Sequence, residues 1–244
     1  MINKRKEQFL KITRAEKLRL KTCGFIHIPK TGGTSIGKFG SKVIAGGGKF
    51  PIAFPHGWTA EQIFNEFPKI ELYFIIREPL ERTISGINSR IRMGRPQYNI
   101  VWNVGEAVSF NFFPTAVELL NGLAAQDERI KSAAIFAFKH INHLKHGYEF
   151  YFKDAAFIRA NADRFPLVRE ISDSDSFVTQ LCARTGINPQ MLDQHYRRLH
   201  VAPQSTSNLA ASLAPETLAA ARKFLSREYE IYDELKKLTG RTTS

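Results

Sequence analysis

The sequence predicts an α/β fold with a central parallel sheet flanked by helices and a helix-rich C-terminal half. Two apolar runs of strand length, 24–29 and 72–76, are each followed by residues with helical periodicity. The chain has 244 residues, of which 43% are hydrophobic and 24% charged, the balance of an ordinary globular protein. Strands that alternate with helices predict parallel pairing, with ligand chemistry at the C-terminal ends of the strands.

The composition predicts one domain with a basic arm. Residues 1–22 are polar and basic, and we expect them to form an N-terminal arm that precedes a single domain over 23–244. No apolar run approaches the roughly 20 residues that a membrane-spanning helix needs. Cys23 and Cys182 are neither a disulfide framework nor a metal spacing. We therefore expect a cytoplasmic protein with reduced thiols and no transmembrane segment.

The charge balance predicts an acidic partner. Lys and Arg number 35 against 23 Asp and Glu, which gives a net charge of +12. A nucleic acid, an anionic nucleotide, a polyanionic glycan and an acidic lipid surface all fit that charge, so the choice among them depends on motifs.

The first half of the chain supplies the two strands. The run 24–29 ends at a proline, and Thr34 opens the helix that follows. We expect a loop over 37–55, because this stretch contains three successive glycines and shows no period. Thr59 is placed to cap a helix over 60–67.

The later elements are mainly helical. Pro79 suits the first turn of a helix that continues the apolar spacing to Ile91. The stretch 101–146 has helical periodicity, and 164–169 is a candidate third strand. We expect a helix over 173–185 that ends at Gly186, and one long terminal helix from Leu213 towards Leu238.

The segment Pro29-Lys-Thr-Gly-Gly-Thr-Ser35 has the composition of an anion-binding loop. Its glycines let backbone N–H groups turn inward, the following helix presents its positive end, and Lys30 with three hydroxyls adds donors. The loop of nucleotide hydrolases has its lysine after the glycines, whereas Lys30 precedes them. A tight turn alone would need neither the lysine nor the hydroxyls.

Two motifs resemble one enzyme family. Ile28-Pro-Lys-Thr-Gly-Gly-Thr-Ser35 resembles the 5′-phosphosulfate loop of sulfotransferases that use 3′-phosphoadenosine-5′-phosphosulfate (PAPS), in the carbohydrate-type, family 2-like branch. Phe74-Ile-Ile-Arg-Glu-Pro-Leu-Glu-Arg-Thr-Ile-Ser85 is similar to the element that holds the 3′-phosphate in that family. The resemblance, which spans about 23–238, implies a fold like that of P-loop nucleotide kinases. It also implies the cofactor-binding residues Lys30, Thr31, Gly32, Gly33, Thr34, Ser35, Arg77 and Ser85.

The resemblance implies transfer of a sulfuryl group from PAPS to a hydroxyl, with 3′-phosphoadenosine-5′-phosphate (PAP) as the product. We expect a carbohydrate acceptor and no nucleic-acid partner. Three alternatives stay open at this point: a tyrosine-directed protein sulfotransferase, a nucleotide kinase, and a non-catalytic polyanion-binding module.

Sulfuryl transfer needs a base and a cation on opposite sides of sulfur. Lys30 suits the cation, and His56 in Phe54-Pro-His-Gly-Trp58 is the favoured base, because the related enzymes place theirs in a similar loop. His27 is the second candidate, although a histidine on a strand is expected to pack in the core. We expect no metal site, because His140 and His143 lack carboxylates or thiols nearby.

The sequence signals for residues that bind the acceptor are weaker. Arg90, Arg92 and Arg95, together with Lys38, Lys42 and Lys49, would form either the rim of a groove for an anionic acceptor or a solvated face. Arg82 is expected on the helix surface or bracing the sheet. The segment 201–208 is a candidate loop over the cofactor or acceptor, and Trp58 and Trp102 are either sugar-stacking or core residues.

Overall fold

The computed structural model describes residues 23–45, 51–96, 98–188, 190 and 206–240, so the arm over 1–22 lies outside the described residues. The chain groups into two compact units. Unit 1 contains the described residues of Met1–Ile76, Tyr151–His200 and Asp233–Ser244, and unit 2 those of Arg77–Phe150 and Val201–Tyr232. The single-domain organisation stays a prediction.

Unit 1 contains a parallel four-stranded sheet, which confirms the α/β class. The strand order is β2-β1-β3-β4, with Phe25 opposite Tyr73 and Tyr73 opposite Leu167. The strands are β1 (Cys23–Ile26), β2 (Ile52–Phe54), β3 (Glu71–Ile76) and β4 (Leu167–Glu170).

The helices account for most of the described chain. In chain order they are α1 (Gly33–Ala45), α2 (Ala60–Glu66), α3 (Pro79–Ile91), α4 (Val104–Phe112), α5 (Ala116–Ala124), α6 (Glu128–His140), α7 (Tyr148–Phe152), α8 (Ala155–Ala160), α9 (Ser174–Thr185), α10 (Thr206–Ala211), α11 (Pro215–Phe224) and α12 (Ser226–Lys236). Among the described residues, no helix combines the length and apolar character needed to cross a bilayer.

The core beside β1 explains where α1 ends. Ile36, Phe39 and Val43 recur at helical spacing and pack with Phe25 and Phe177 in one buried cluster. Because of this packing, α1 continues through Gly37 and Gly40 and ends at Ala45. The predicted loop over 37–55 was therefore wrong in its first part. The same prediction missed β2, a three-residue strand between two prolines.

Aromatic residues form a second cluster in unit 1. Phe74 of β3 lies 4.9 Å from Phe152 and 5.5 Å from Phe165, measured between ring centroids, and Phe165 lies 5.6 Å from Phe64. The strand predicted over 164–169 is β4 in the structure, and it begins at Leu167 rather than at 164. Pro166 lacks the N–H that a paired strand position would donate.

Unit 2 is built from helices, as the period over 101–146 predicts. Its core includes Leu80, Ile84 and Ile87 of α3, Leu119 of α5 and Ala137 of α6. Capping boxes start α4 and α5. The predicted long terminal helix was wrong, because the chain forms α11 and α12 with a break at Leu225.

Candidate functional site

The loop between β1 and α1 has an unusual backbone. Lys30 has a φ of 68° and Gly32 one of +87°, both in the left-handed region. Glycine adopts such angles freely, whereas for a lysine the cost is roughly 1–2 kcal/mol. The loop therefore holds Lys30 in a conformation that its own preferences oppose, which is typical of functional sites.

Two hydrogen bonds close this loop onto itself. The Thr31 hydroxyl, which is buried, donates to the Ile28 carbonyl at 3.0 Å. The Ser35 N–H donates to the Gly32 carbonyl at 3.1 Å, within the first turn of α1. The Thr31 side chain thus stabilises the loop, while Thr34 is half-buried and Ser35 buried at the start of the helix.

Gly33, the first residue of α1, has no room for a side chain. A Cβ atom placed there would lie 2.1 Å from Cδ2 of His27. The His27 ring therefore lies directly against the N-terminus of α1, where unsatisfied N–H groups favour an anion.

His56 reaches the same place because β2 pairs in parallel with β1. The His27 N–H donates to the Phe54 carbonyl at 3.2 Å, so the chain after Phe54 leaves the sheet beside the end of β1. Nδ1 of His56 lies 2.8 Å from the His27 carbonyl oxygen, and the two imidazole centroids are 4.2 Å apart. The predicted base and the predicted loop thus meet within unit 1.

The tautomer of His56 follows from its partner. A carbonyl oxygen only accepts hydrogen bonds, so Nδ1 carries the proton and the lone pair of neutral His56 is on Nε2. Burial lowers the pKa of His56, the His27 hydrogen bond opposes that change, and the positive charge of Lys30 lowers the pKa further. The net effect favours the neutral ring, which is the form that accepts a proton.

Arg77, in unit 2, is held at both its backbone and its side chain. Its N–H donates to the Tyr148 hydroxyl at 2.7 Å, and that hydroxyl donates to the Arg77 carbonyl at 2.6 Å. Nε lies 3.5 Å from Glu81 Oε2, and Nη2 donates to the Thr206 hydroxyl. Ser85, the other predicted 3′-phosphate ligand, is half-buried on the second turn of α3.

Burial lowers the pKa of the Arg77 guanidinium, and the Glu81 carboxylate opposes this change. A guanidinium with little hydration is stabilised by an anion nearby. A phosphate at Arg77 would add to the charge compensation that Glu81 supplies.

Arg82 is buried rather than exposed on the helix surface, and its charged contact is not with the sheet. Its Nη2 donates to Glu228 Oε2 at 3.1 Å. The Tyr148 N–H donates to the same oxygen at 2.7 Å. A Cβ at Gly147 would lie 2.1 Å from Glu228 Oε1, so a side chain there would displace the Glu228 carboxylate. Arg82 therefore supports Tyr148, which in turn contacts Arg77.

Arg90 lies neither on the rim of an acceptor groove nor on a solvated face, so both sequence interpretations were wrong for this residue. It is buried and donates from Nε and Nη2 to both oxygens of the buried Glu106, at 2.7 and 2.8 Å. Arg92 and Arg95 are exposed in unit 2, and Lys38 and Lys42 in unit 1, whereas Lys49 lies outside the described residues. A run of basic residues in the sequence thus combines one buried structural charge with exposed ones.

The remaining candidates have packing roles. His140 Nδ1–H donates to the Phe136 carbonyl at 2.8 Å, and its ring stacks on Phe136. Trp58 is buried against Phe54.

Among the described residues, no group of three or more His, Cys, Asp or Glu is arranged to hold a metal ion. Of the candidate loop 201–208, residues 201–205 lie outside the described residues, and Thr206 begins α10.

The sequence did not predict the residues that hold Arg77. Tyr148 and Thr206 lie 71 and 129 residues away along the chain. Thr206 lies in the candidate loop over 201–208, but nothing in the sequence indicated that either residue contacts Arg77.

Comparisons with protein-family models, with curated proteins and with solved structures found no match to this chain. A functional assignment therefore depends on the motifs and on the geometry within each unit.

Proposed function

We propose that this protein is a PAPS-dependent sulfotransferase that acts on a hydroxyl, with a carbohydrate as the expected acceptor. The observation that carries the proposal is the position of His56 beside the loop that bears Lys30. An anion-binding loop alone would suit a polyanion-binding module, whereas a neutral imidazole with its lone pair on Nε2 adds a means of proton transfer.

The loop has the properties that a phosphosulfate group requires. Left-handed backbone at Lys30 and Gly32 and the absence of a side chain at Gly33 let the chain turn sharply at the N-terminus of α1. Lys30 contributes a positive charge, and Thr34 and Ser35 contribute hydroxyls. We propose that these groups bind the 5′-phosphosulfate. The family resemblance adds the proposal that Arg77 and Ser85 bind the 3′-phosphate.

When bound, PAPS supplies a sulfuryl group attached to a phosphate leaving group. His56 Nε2 takes the proton of the acceptor hydroxyl as the acceptor oxygen forms its bond to sulfur. The bond between sulfur and the bridging phosphate oxygen breaks, and that oxygen keeps the electron pair. Lys30 stabilises the negative charge that develops there, as a preorganised cation does. The products are the sulfate ester, PAP and a proton on His56.

We also propose that the fold resembles that of P-loop nucleotide kinases. The parallel sheet with strand order β2-β1-β3-β4 and an anion loop after β1 is consistent with a fold like that of P-loop nucleotide kinases. The position of Lys30 before the glycines distinguishes the loop from that of nucleotide hydrolases.

Calorimetric titration with PAP tests the cofactor assignment. We expect PAP to bind more tightly than AMP, and Arg77→Ala to reduce PAP affinity while it leaves AMP affinity nearly unchanged. Arg92→Ala, which removes an exposed arginine of the same unit, is the matched control. Failure of PAP to bind, or equal PAP affinity in Arg77→Ala and the parent protein, would overturn the assignment.

Ligand preference separates the alternatives. A nucleotide kinase would prefer ATP with Mg²⁺ to PAP, and a polyanion-binding module would bind heparin with steep salt dependence and show no preference for PAP over AMP. Incubation with ³⁵S-labelled PAPS and panels of oligosaccharides and tyrosine peptides then identifies the acceptor class. Labelled peptide without labelled oligosaccharide would replace carbohydrate by tyrosine.

A further inference from the structure

Unit 2 has a row of exposed apolar side chains that its own core does not use. Val104, Val108 and Phe112 recur every fourth residue along one face of α4 and are 83%, 43% and 67% exposed. Ile100 and Val101, just before the helix, are 55% and 73% exposed. We call these five residues the apolar stripe.

The opposite face of α4 is already buried. Glu106, Ser109 and Phe110 point into unit 2, and the Trp102 ring lies 5.0 Å from Phe110 between centroids. Helix α4 therefore has one buried face that packs in unit 2 and a second, exposed face that is apolar. Core packing explains the first face and leaves the apolar stripe without an intramolecular role among the described residues.

The backbone under the apolar stripe is suited to an environment without water. Arg90 Nη2 donates to the carbonyls of both Ile100 and Val101, each at 3.3 Å. The Ile100 N–H donates to the Met93 carbonyl at 2.9 Å. Polar backbone groups that already have partners lower the cost of moving this segment into a less polar medium.

The exposed charge of the segment that contains the apolar stripe is positive. Arg92 and Arg95 are exposed and line a shallow pocket with Ile91, Met93 and Pro96. Glu106 is the only acidic residue in 91–117, and it is fully buried and paired with Arg90. The exposed charge of the segment therefore comes from the two arginines, and it is complementary to an anionic surface.

We propose that the apolar stripe, with Arg92 and Arg95, docks this protein on an anionic lipid membrane. Apolar side chains would enter the boundary between headgroups and acyl chains, while the arginines would contact lipid phosphates. A second copy of the chain is the weaker fit, because both partners would carry a net charge of +12 and exposed arginines at this surface. The proposal does not depend on the sulfotransfer chemistry.

Co-sedimentation of the full chain with vesicles tests the proposal. Vesicles of phosphatidylcholine with about 30 mol% phosphatidylglycerol are compared with phosphatidylcholine alone, because only the former have the surface charge that attracts arginine. We expect binding to the anionic vesicles and a reduction of roughly tenfold or more in Val104→Ser/Phe112→Ser, since insertion strength scales with apolar area. Arg92→Gln/Arg95→Gln should lose about fivefold for each arginine.

Two controls match these variants in the same unit. Ile130, which is 46% exposed on α6, and Arg129, which is exposed beside it, lie outside the apolar stripe. Ile130→Ser and Arg129→Gln should bind the vesicles like the parent protein. A second pair, Val101→Ser/Val108→Ser, repeats the apolar test if the first variant fails to fold by circular dichroism.

Three outcomes overturn the proposal. The first is the absence of binding to anionic vesicles. The second is undiminished binding by both apolar variants, which would attribute binding to general positive charge, including the eight Lys and Arg of residues 1–22. The third is a dimer in sedimentation velocity that the apolar substitutions dissociate without an effect on vesicles, which would identify a surface for self-association.

Discussion

His56 is fixed by a single backbone group of a neighbouring strand end: its Nδ1–H donates to the His27 carbonyl at 2.8 Å. That bond selects the tautomer and turns the proton-accepting nitrogen, Nε2, away from the sheet backbone. A fixed orientation of the ring is what a general base requires, because proton transfer needs a defined geometry.

His56→Ala should lower kcat for sulfuryl transfer by about 100-fold or more, because the proton of the acceptor hydroxyl loses its acceptor. PAP affinity should change little, since the proposed phosphate ligands remain. His146→Ala, whose ring stacks on Phe150, is the control and should keep its turnover. Initial rates with labelled PAPS provide the measurement, and full turnover by His56→Ala would assign the base to another residue.

The pH dependence should reflect the lowered pKa of His56. Since the neutral ring is the base, activity is retained at pH values above the folded pKa and lost as the pH falls through it. The acidic limb of kcat/KM should therefore lie below about 6.5, the ordinary value for histidine. In an NMR titration, Lys30→Met should raise the His56 pKa, because it removes a neighbouring positive charge. An unchanged pKa in this variant would contradict the electrostatic contribution of Lys30.

Lys30→Gly should be more stable than Lys30→Ala by roughly 1 kcal/mol, because glycine adopts the left-handed φ at this position without strain. Both variants lose the ammonium group, so both should lose sulfuryl transfer. Urea unfolding of the two proteins measures the difference. Equal stability would indicate that Lys30 leaves the left-handed region in solution.

Gly33→Ala should destabilise the protein by roughly 1–3 kcal/mol, because the new methyl group overlaps the His27 ring. The same substitution in a His27→Ala background should cost much less, since the overlapping ring is gone. A double-mutant cycle by urea unfolding measures this coupling. Additive free energies would show that the two side chains do not meet.

Glu106→Gln should lower the free energy of unfolding by about 3–5 kcal/mol, because it leaves Arg90 buried without its charged partner. Glu128→Gln, which breaks the exposed pair with Lys131, is the control and should have little effect.

Burial raises the pKa of Glu106, but hydrogen bonds from Arg90, Asn142 and Asn103 lower it overall. The stabilising effect of the carboxylate is thus present above the ordinary glutamate pKa and is lost as the pH falls through the folded value, so the difference should shrink in acid.

Local sequence signals were enough to predict several elements, including the two strands that precede the candidate site residues. The apolar runs before Pro29 and Arg77 became β1 and β3, Thr59 caps α2, and Gly186 ends α9 with a φ of 69°. Each of these features depends on residues close together in the chain, where propensity and capping act directly.

What the sequence did not reveal depends on distant partners. Arg90 lies in a basic run that is typical of a surface, and only the folded position of Glu106 accounts for its burial. The contacts of Tyr148 and Thr206 with Arg77 likewise join residues far apart in the chain. Strand β2 was missed because three residues between prolines are too few to show a period.

The pairing of β3 with β4 affects how the chain folds during its synthesis. Tyr73 pairs with Leu167, so β3 leaves the ribosome well before the strand that covers its edge. Until Leu167 emerges, the N–H and C=O groups on that side of β3 have no strand partner, and such edges promote aggregation. Fragments that stop before β4 should therefore be recovered as aggregates, and slow synthesis between 77 and 166 would prolong the dependence of the nascent chain on chaperones.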